Sequence, residues 1–349
     1  MQEQDAQAAA LLSYIEHHAG ERLAGGGPII LFRPPPGSWL EAFRSGPEVS
    51  CVQTYKPHAD ALSRQGWTVI DEEDIPPDAA LAVVFATKHK EEVLFQLALA
   101  AASLVEGGSL ILAAANTLGA SSLERRCAEL MGAVEHTSKH KCRVIRAVKS
   151  AATLDEARLL AWREAGAMRR VTETGLVACP GVFSWKSLDA GSRLLAERLP
   201  VNLAGRGADL GAGYGFLSRE ALRRAAGIGE LHLFEAERKA LRAAERNLAD
   251  VADGRLVEFH WCDVTDGLAA GGFDFILMNP PFHAGRGAVT MLGQAFVREA
   301  LRALKPGGRL WLVANRHLPY EAEIHAMGGV VAESEQREGY KIIQARKVR

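Results

Sequence analysis

Short apolar runs of strand length recur through the chain, each stopped by a polar or glycine-rich stretch and followed by a helical pattern. In the first half they are residues 28–32 (PIILF), 81–86 (LAVVFA) and 109–113 (SLILA), and the Ala- and Leu-rich stretch 91–105 predicts a helix. Alternation of this kind predicts α/β architecture. The second half repeats it: LVEGGSLILAAAN at 104–116 mirrors LKPGGRLWLVAN at 304–315, and a strand ending at 86–89 (ATKH) stands where the second half has one ending at 279–282 (NPPF). The chain therefore reads as a duplication, with boundaries expected at 1–153 for the first copy, 154–200 for a bridging helix and lead-in, and 201–349 for the second copy. Within the lead-in, residues 154–168 have helical composition, 169–177 have strand character, and Asp189, Gly191 and Ser192 sit where a helix running to Leu199 needs its N-cap.

The two copies differ in the loop after their first strand. In the first, Leu31-Phe32 runs into Arg33-Pro34-Pro35-Pro36, and prolines have no N–H to offer a ligand. In the second, Asp209-Leu210-Gly211-Ala212-Gly213-Tyr214-Gly215 makes a tight strand-to-helix turn that a ligand can approach closely. The glycine spacing is neither that of a dinucleotide fold nor that of a phosphate loop. Successive strands then end in Glu235, placed to hold ribose hydroxyls, and Asp263, placed to accept from an adenine amine. A further apolar strand, 274–278, stops at Asn279-Pro280-Pro281-Phe282. The two prolines stiffen that corner. The Asn279 amide oxygen and the Pro280 carbonyl suit the hydrogens of a planar NH2 group, while Phe282 suits the flat ring that carries it.

Composition narrows the class without changing this picture. Apolar residues make up 48% and charged residues 24%, with a formal net charge of -1, so no polyanion-binding excess shows in the total. Local basic clusters stand out at Lys88 and Lys90, and at Lys139, Lys141 and Arg143, as candidate contacts to an RNA backbone. The five cysteines contain no C-x-x-C pair, so no zinc site is expected, nor any disulfide framework. No apolar run approaches the ~18 residues of a membrane span, which together with the cysteine pattern points to the cytoplasm and away from membranes. His283 has no visible acid-base partner and reads as a packing residue.

On the segments 180–184 (PGVFS), 188–192 (LDAGS), 209–213 (DLGAG), 279–283 (NPPFH), 313–315 (VAN) and 318–320 (LPY), the chain resembles class I S-adenosylmethionine-dependent methyltransferases of the Asn-Pro-Pro-aromatic type. More closely, it is similar to the bacterial ribosomal RNA guanine-N2 methyltransferases of the RsmC/RlmG group. The resemblance implies two tandem Rossmann-like methyltransferase domains, the N-terminal one degenerate and serving RNA docking, the C-terminal one catalytic. It implies S-adenosylmethionine as cofactor, no metal, and ribosomal RNA as substrate, most readily small-subunit 16S RNA within a subunit or assembly intermediate. Cofactor binding would fall to Asp209, Gly211, Ala212, Gly213, Glu235, Asp263 and Asn279, and amine positioning to Asn279, Pro280, Pro281 and Phe282. Large-subunit 23S RNA remains an alternative substrate, as do a protein glutamine-N5 or a DNA adenine-N6, whose amines share the same planar geometry.

Overall fold

A computed structural model describes residues 2–18, 26–281 and 286–348. The chain divides into two compact units, Met1–Ala167 and Met168–Arg349. The first contains α1 (Gln2–His17), β1 (Ile29–Phe32), β2 (Val49–Val52), α2 (Lys56–Arg64), β3 (Thr68–Ile70), β4 (Ala79–Phe85), α3 (Lys90–Ser103), β5 (Leu104–Ala115), α4 (Ala120–Met131), β6 (Val134–Lys139), β7 (Cys142–Val148) and α5 (Glu156–Gly166). The second opens with the short pair β8 (Arg169–Arg170) and β9 (Val177–Ala178). It continues with α6 (Ala190–Arg198), β10 (Ala204–Leu210), α7 (Phe216–Arg224), β11 (Gly227–Glu235), α8 (Arg238–Leu248), β12 (Leu256–Trp261), β13 (Phe273–Met278), α9 (Arg286–Ala303), β14 (Leu304–Asn315), α10 (Tyr320–Ala326), β15 (Gly329–Arg337) and β16 (Tyr340–Lys347).

Each unit is built on a seven-stranded sheet. The orders, β3-β2-β1-β4-β5-β7-β6 and β12-β11-β10-β13-β14-β16-β15, are the same topology written twice. Five strands are parallel, and a closing hairpin adds the last two antiparallel. Burial on both faces explains why the central strands are apolar throughout. In β4, Ala82 and Val84 face one core while Leu81, Val83 and Phe85 face the other. In β13, Phe275 and Leu277 face one side, Ile276 and Met278 the opposite side. Even the irregularities are duplicated. The register slips between Ala79 and Leu81 in one sheet and between Phe273 and Phe275 in the other. A Cβ on Gly108 would stand 2.9 Å from Val105 O, and one on Gly308 would stand 2.9 Å from both Lys305 O and Phe273 O.

Three local expectations need correction. The helix expected at 91–105 yields to strand at Leu104, because Leu104 pairs with Ala79 of β4 ahead of the slip after which Ser109 pairs with Leu81. The strand character of 169–177 gives only the two-residue pieces β8 and β9, separated by a turn. The helix expected to bridge the units, α5, is instead part of the first, where Leu159 joins the core and Gly166 lies so close to Phe95 that a Cβ would meet its ring. The remainder of the lead-in belongs to the second unit. Asn247 of α8 fastens it by accepting from Val177 N at 2.7 Å and donating to Val177 O and Tyr214 O at 2.9 Å each. Among the described residues no helix is long and apolar enough to cross a membrane.

Gly207 on β10 lies under the Phe275 ring, where an added Cβ would sit 2.0 Å from Cζ. Gly207→Ala should therefore cost about 1–3 kcal/mol by overpacking. In urea unfolding, adding Phe275→Leu should recover part of that loss; strictly additive effects would show that the ring is not the obstacle.

Candidate active site

Parallel strands deliver their C-terminal ends to one rim, and four neighbours in the second unit, β12, β11, β10 and β13, end there in Asp263, Glu235, Asp209 and Asn279. Open α/β sheets bind ligands at such a rim. At β10 the chain turns through Gly211, Gly213 and Gly215, all at positive φ (70°, 56° and 81°), before α7 begins. Gly211 N and Ala212 N donate to Phe234 O at 2.8 and 3.2 Å, which fixes the turn to β11. A Cβ on Gly211 would press on Phe296 at 3.2 Å, whereas over Gly213 there is nothing within 4 Å. Gly213, not Gly211, is the point of open approach.

Asp209 is fully buried, and its Oδ2 accepts from Ser218 Oγ at 2.7 Å. Its Oδ1 is buried with no partner among the described residues. Burial pushes the Asp209 carboxyl up to about 7; the Ser218 hydroxyl opposes that rise and the nearby Glu235 carboxylate adds to it. Glu235 is itself committed to the loop it was expected to flank: Oε2 accepts from Gly213 N at 2.7 Å and Oε1 from Glu237 N at 2.8 Å. Burial holds it above the ordinary carboxylate range, although these backbone bonds pull the other way. A carboxylate has about four lone-pair sites, so these backbone bonds do not exhaust Glu235. Asp263 uses Oδ1 for Thr265, accepting from N at 2.8 Å and from Oγ1 at 2.7 Å, so its other oxygen faces outward duty.

The fourth group shows what the sequence reading missed. Asn279 Nδ2 donates to Asp189 Oδ2 and to Ser192 Oγ, each at 2.8 Å. A carboxylate can only accept, so Asp189 forces the nitrogen toward itself and leaves Oδ1 as the amide's forward-facing atom. That oxygen is buried and unpartnered among the described residues. The same Asp189 Oδ2 also caps α6 by accepting from Ser192 N at 2.8 Å. The capping pattern alone places Asp189 and Ser192 at the helix start and gives no sign of their bonds to Asn279. Gly191 between them admits the Tyr340 ring, since a Cβ there would lie 2.9 Å from its Cε1. Pro280 is buried and Pro281 exposed, while Phe282 and His283 lie outside the described residues.

The first unit repeats the turn without the site. Arg33, at φ 56°, stands where Gly211 stands, and its N–H donates to Val52 O at 2.9 Å as Gly211 does to Phe234. The prolines then follow, and their carbonyls are occupied: Pro34 O accepts from Gln53 Nε2 at 3.1 Å and Pro35 O from Trp39 Nε1 at 2.9 Å. At the place of Asn279, Ala86 O accepts from Gln7 Nε2 of α1 at 3.0 Å. Of the basic candidates, Lys88, Lys90, Lys139 and Lys141 are exposed, and Lys141 forms with His140 a tight hairpin tip at positive φ. Arg143 is drawn back into an ion pair with Glu124.

A glycine turn, three acids and an oriented amide on the rim of this seven-stranded sheet define a Rossmann-like methyltransferase domain. Accordingly, residues 173–344 match the methyltransferase small domain and residues 44–161 the methyltransferase small domain N-terminal model. The protein belongs to the ribosomal RNA small subunit methyltransferase C family. It is 33% identical over 273 residues to the Shewanella loihica protein of that name, covering 76% of each chain. It is 31% identical over 274 residues to that of Sodalis glossinidius, covering 77% of this chain and 76% of the other. Among solved structures it is similar to the T. thermophilus 16S rRNA N2 G1207 methyltransferase (RsmC) in complex with AdoMet and guanosine. That likeness has 25% identity and a TM-score of 0.76 over 92% of this chain and 88% of the other.

Two predictions follow from the geometry. Because its folded pKa is raised, the Asp209 carboxyl favours folding while protonated, and that contribution is lost as pH rises through about 7. The stability of ligand-free Asp209→Asn relative to wild type should therefore climb between pH 5 and 8 in urea unfolding; a flat difference would mean the carboxyl titrates normally. Separately, Asn279→Ala should lower single-turnover methylation on the order of 10²-fold with cofactor affinity nearly kept. Asp189→Asn should show a smaller fall of the same kind, and a loss confined to cofactor binding in either variant would contradict the orienting role.

Proposed function

We infer that the second unit transfers a methyl group from S-adenosylmethionine to the exocyclic N2 amine of a guanine in ribosomal RNA, with 16S RNA as the substrate. The observation that carries this reading is the Asn279 amide oxygen, buried, unpartnered and aimed by Asp189 and Ser192. Family membership supports ribosomal RNA, and the T. thermophilus relative is named for N2 of G1207 in 16S rRNA.

The residues at the rim fit the cofactor. The orphaned Asp209 Oδ1 suits an ammonium group, the free lone pairs of Glu235 suit a ribose diol, and the second oxygen of Asp263 suits an adenine amine. Open space over Gly213 admits the ligand against the backbone, with Gly211 and Ala212 shaping the turn beneath it. When bound, S-adenosylmethionine supplies an electrophilic methyl on a sulfonium. The lone pair of guanine N2 is delocalised into the ring, so orientation is the main lever left to the protein. Asn279 Oδ1 and the Pro280 carbonyl accept from the two N2 hydrogens, and Pro281 stiffens the corner that holds them. These acceptors also favour the positive charge that develops on nitrogen. Phe282 follows directly in sequence and is assigned to stacking on the unstacked base.

The first unit is assigned RNA docking through Lys88, Lys90, Lys139 and Lys141, with Arg143 in reserve behind its Glu124 pair. A base inside folded RNA is reached most readily in a subunit or assembly intermediate, in the cytoplasm. The test is transfer of labelled methyl groups by the full chain to 16S RNA, 23S RNA, small subunits, DNA and protein. N2-methylguanosine should appear in 16S RNA at one position and disappear from that position in a deletion strain. Label confined to 23S RNA, adenine or glutamine would overturn the assignment.

A further inference from the structure

Across the two outer parallel strands of the second unit, His232 of β11 lies opposite Glu258 of β12, with His260 one repeat further along the same face. His232 Nδ1 is 2.9 Å from His260 Nε2 and 3.3 Å from Glu258 Oε2, and His260 Nε2 is 3.6 Å from that same oxygen. We propose that His232, Glu258 and His260 form a first-row divalent cation site, with zinc the ion whose chemistry they fit best.

The 2.9 Å contact between the rings is a hydrogen bond, so a cation takes the place of its proton and the two rings turn to aim both lone pairs at it; the spacing of the three atoms otherwise suits one ion. A triangle with those sides has a circumradius of about 1.9 Å, just inside the 2.0–2.2 Å bonds zinc makes to imidazole and carboxylate. One ion slightly above the plane therefore reaches all three atoms. The partner behind His232 points the same way. Its Nε2 is 2.6 Å from Glu230 Oε1, the distance of a charge-assisted bond, so the ring proton sits there and Nδ1 turns its lone pair toward the cluster. Arg206 also approaches Nε2, at 3.1 Å, but its Nε is tied to the same Glu230 oxygen at 2.8 Å, and the shorter carboxylate contact decides the tautomer. Phe234 stacks against His260, with centroids 4.5 Å apart and planes 12° from parallel, and this contact steadies the ring. His232 is buried, while the Glu258 side chain is 45% exposed, so the remaining coordination position opens to solvent.

The site has a structural consequence. β12 is an edge strand, and among the described residues its strand pairing is with β11 alone. His232 and His260 each lie three residues before the acids Glu235 and Asp263, roughly 10 Å back along the strands. An ion joining them would pin the edge strand and with it the spacing of those two acids. Neither histidine was legible as a ligand in sequence, because the three donors meet only when the strands pair in this register.

The test uses the full chain, stripped with chelator and titrated with Co2+ and then Zn2+. One equivalent of Co2+ should bind with the visible bands of a four-coordinate ion, Zn2+ should displace it, and the unfolding midpoint should climb with Zn2+ concentration. His260→Gln and Glu258→Gln, checked by circular dichroism for a wild-type fold, should each lose both responses, whereas the exposed His317→Gln should keep them. Since Glu258 is largely solvent-facing, its variant gives a reading even if the His260 change disturbs packing. No one-equivalent Co2+ signal in the wild type, or a signal undiminished in folded Glu258→Gln, overturns the site.

Discussion

The second unit depends on a rotational problem that a single carboxylate solves. A primary amide presents an acceptor and a donor of nearly equal shape, and only one orientation of Asn279 leaves an acceptor facing forward. Asp189 and Ser192 take both 2.8 Å bonds from Nδ2 and so remove the other orientation. Hydrogen bonds to a charged group contribute roughly 1.5–3 kcal/mol, enough to hold the amide against a turn of 180°. The same carboxylate starts α6, so a helix end and an active-site rotamer share one atom.

Comparison of the two units separates what the fold needs from what chemistry needs. Both keep the sheet order, the slipped register and the left-handed residue after the first strand. Only the second keeps a glycine two residues beyond it, Gly213, where the first has Pro35. In the first, Pro34 and Pro35 remove donors, Gln53 and Trp39 consume the carbonyls, and Gln7 occupies Ala86 where Asp189 would hold an asparagine. Each of these internal bonds takes up a group that the second unit leaves available at its rim.

The repeat, the α/β class and the order of rim residues were legible because they are written in local patterns: a buried strand must be apolar, and a tight turn at positive φ favours glycine. What escaped the sequence was set by pairing across long separations. Asp189 reads as an N-cap until β13 is beside α6, ninety residues away in sequence. Glu235 reads as a free acid until the glycine loop folds back onto it, and Arg143 as a free cation until α4 brings up Glu124. Strand ends moved for the same reason. Leu104 has helical neighbours before it, and only β4 supplies the partner that extends it.

The placement of β16 carries a consequence for biosynthesis. This strand is the last in sequence yet lies inside the sheet, between β14 and β15, and it brings Tyr340 against Gly191 beside the helix cap. During translation each sheet closes only when its inner hairpin strand, β7 or β16, has emerged, and until then β5 or β14 lacks a neighbour on one side. For that interval β14, with Leu310, Leu312 and Val313 in its core-facing run, is an open edge of the kind that recruits foreign strands. Until β16 pairs with it, β14 keeps that edge open and Gly191 lacks the Tyr340 ring beside the helix cap.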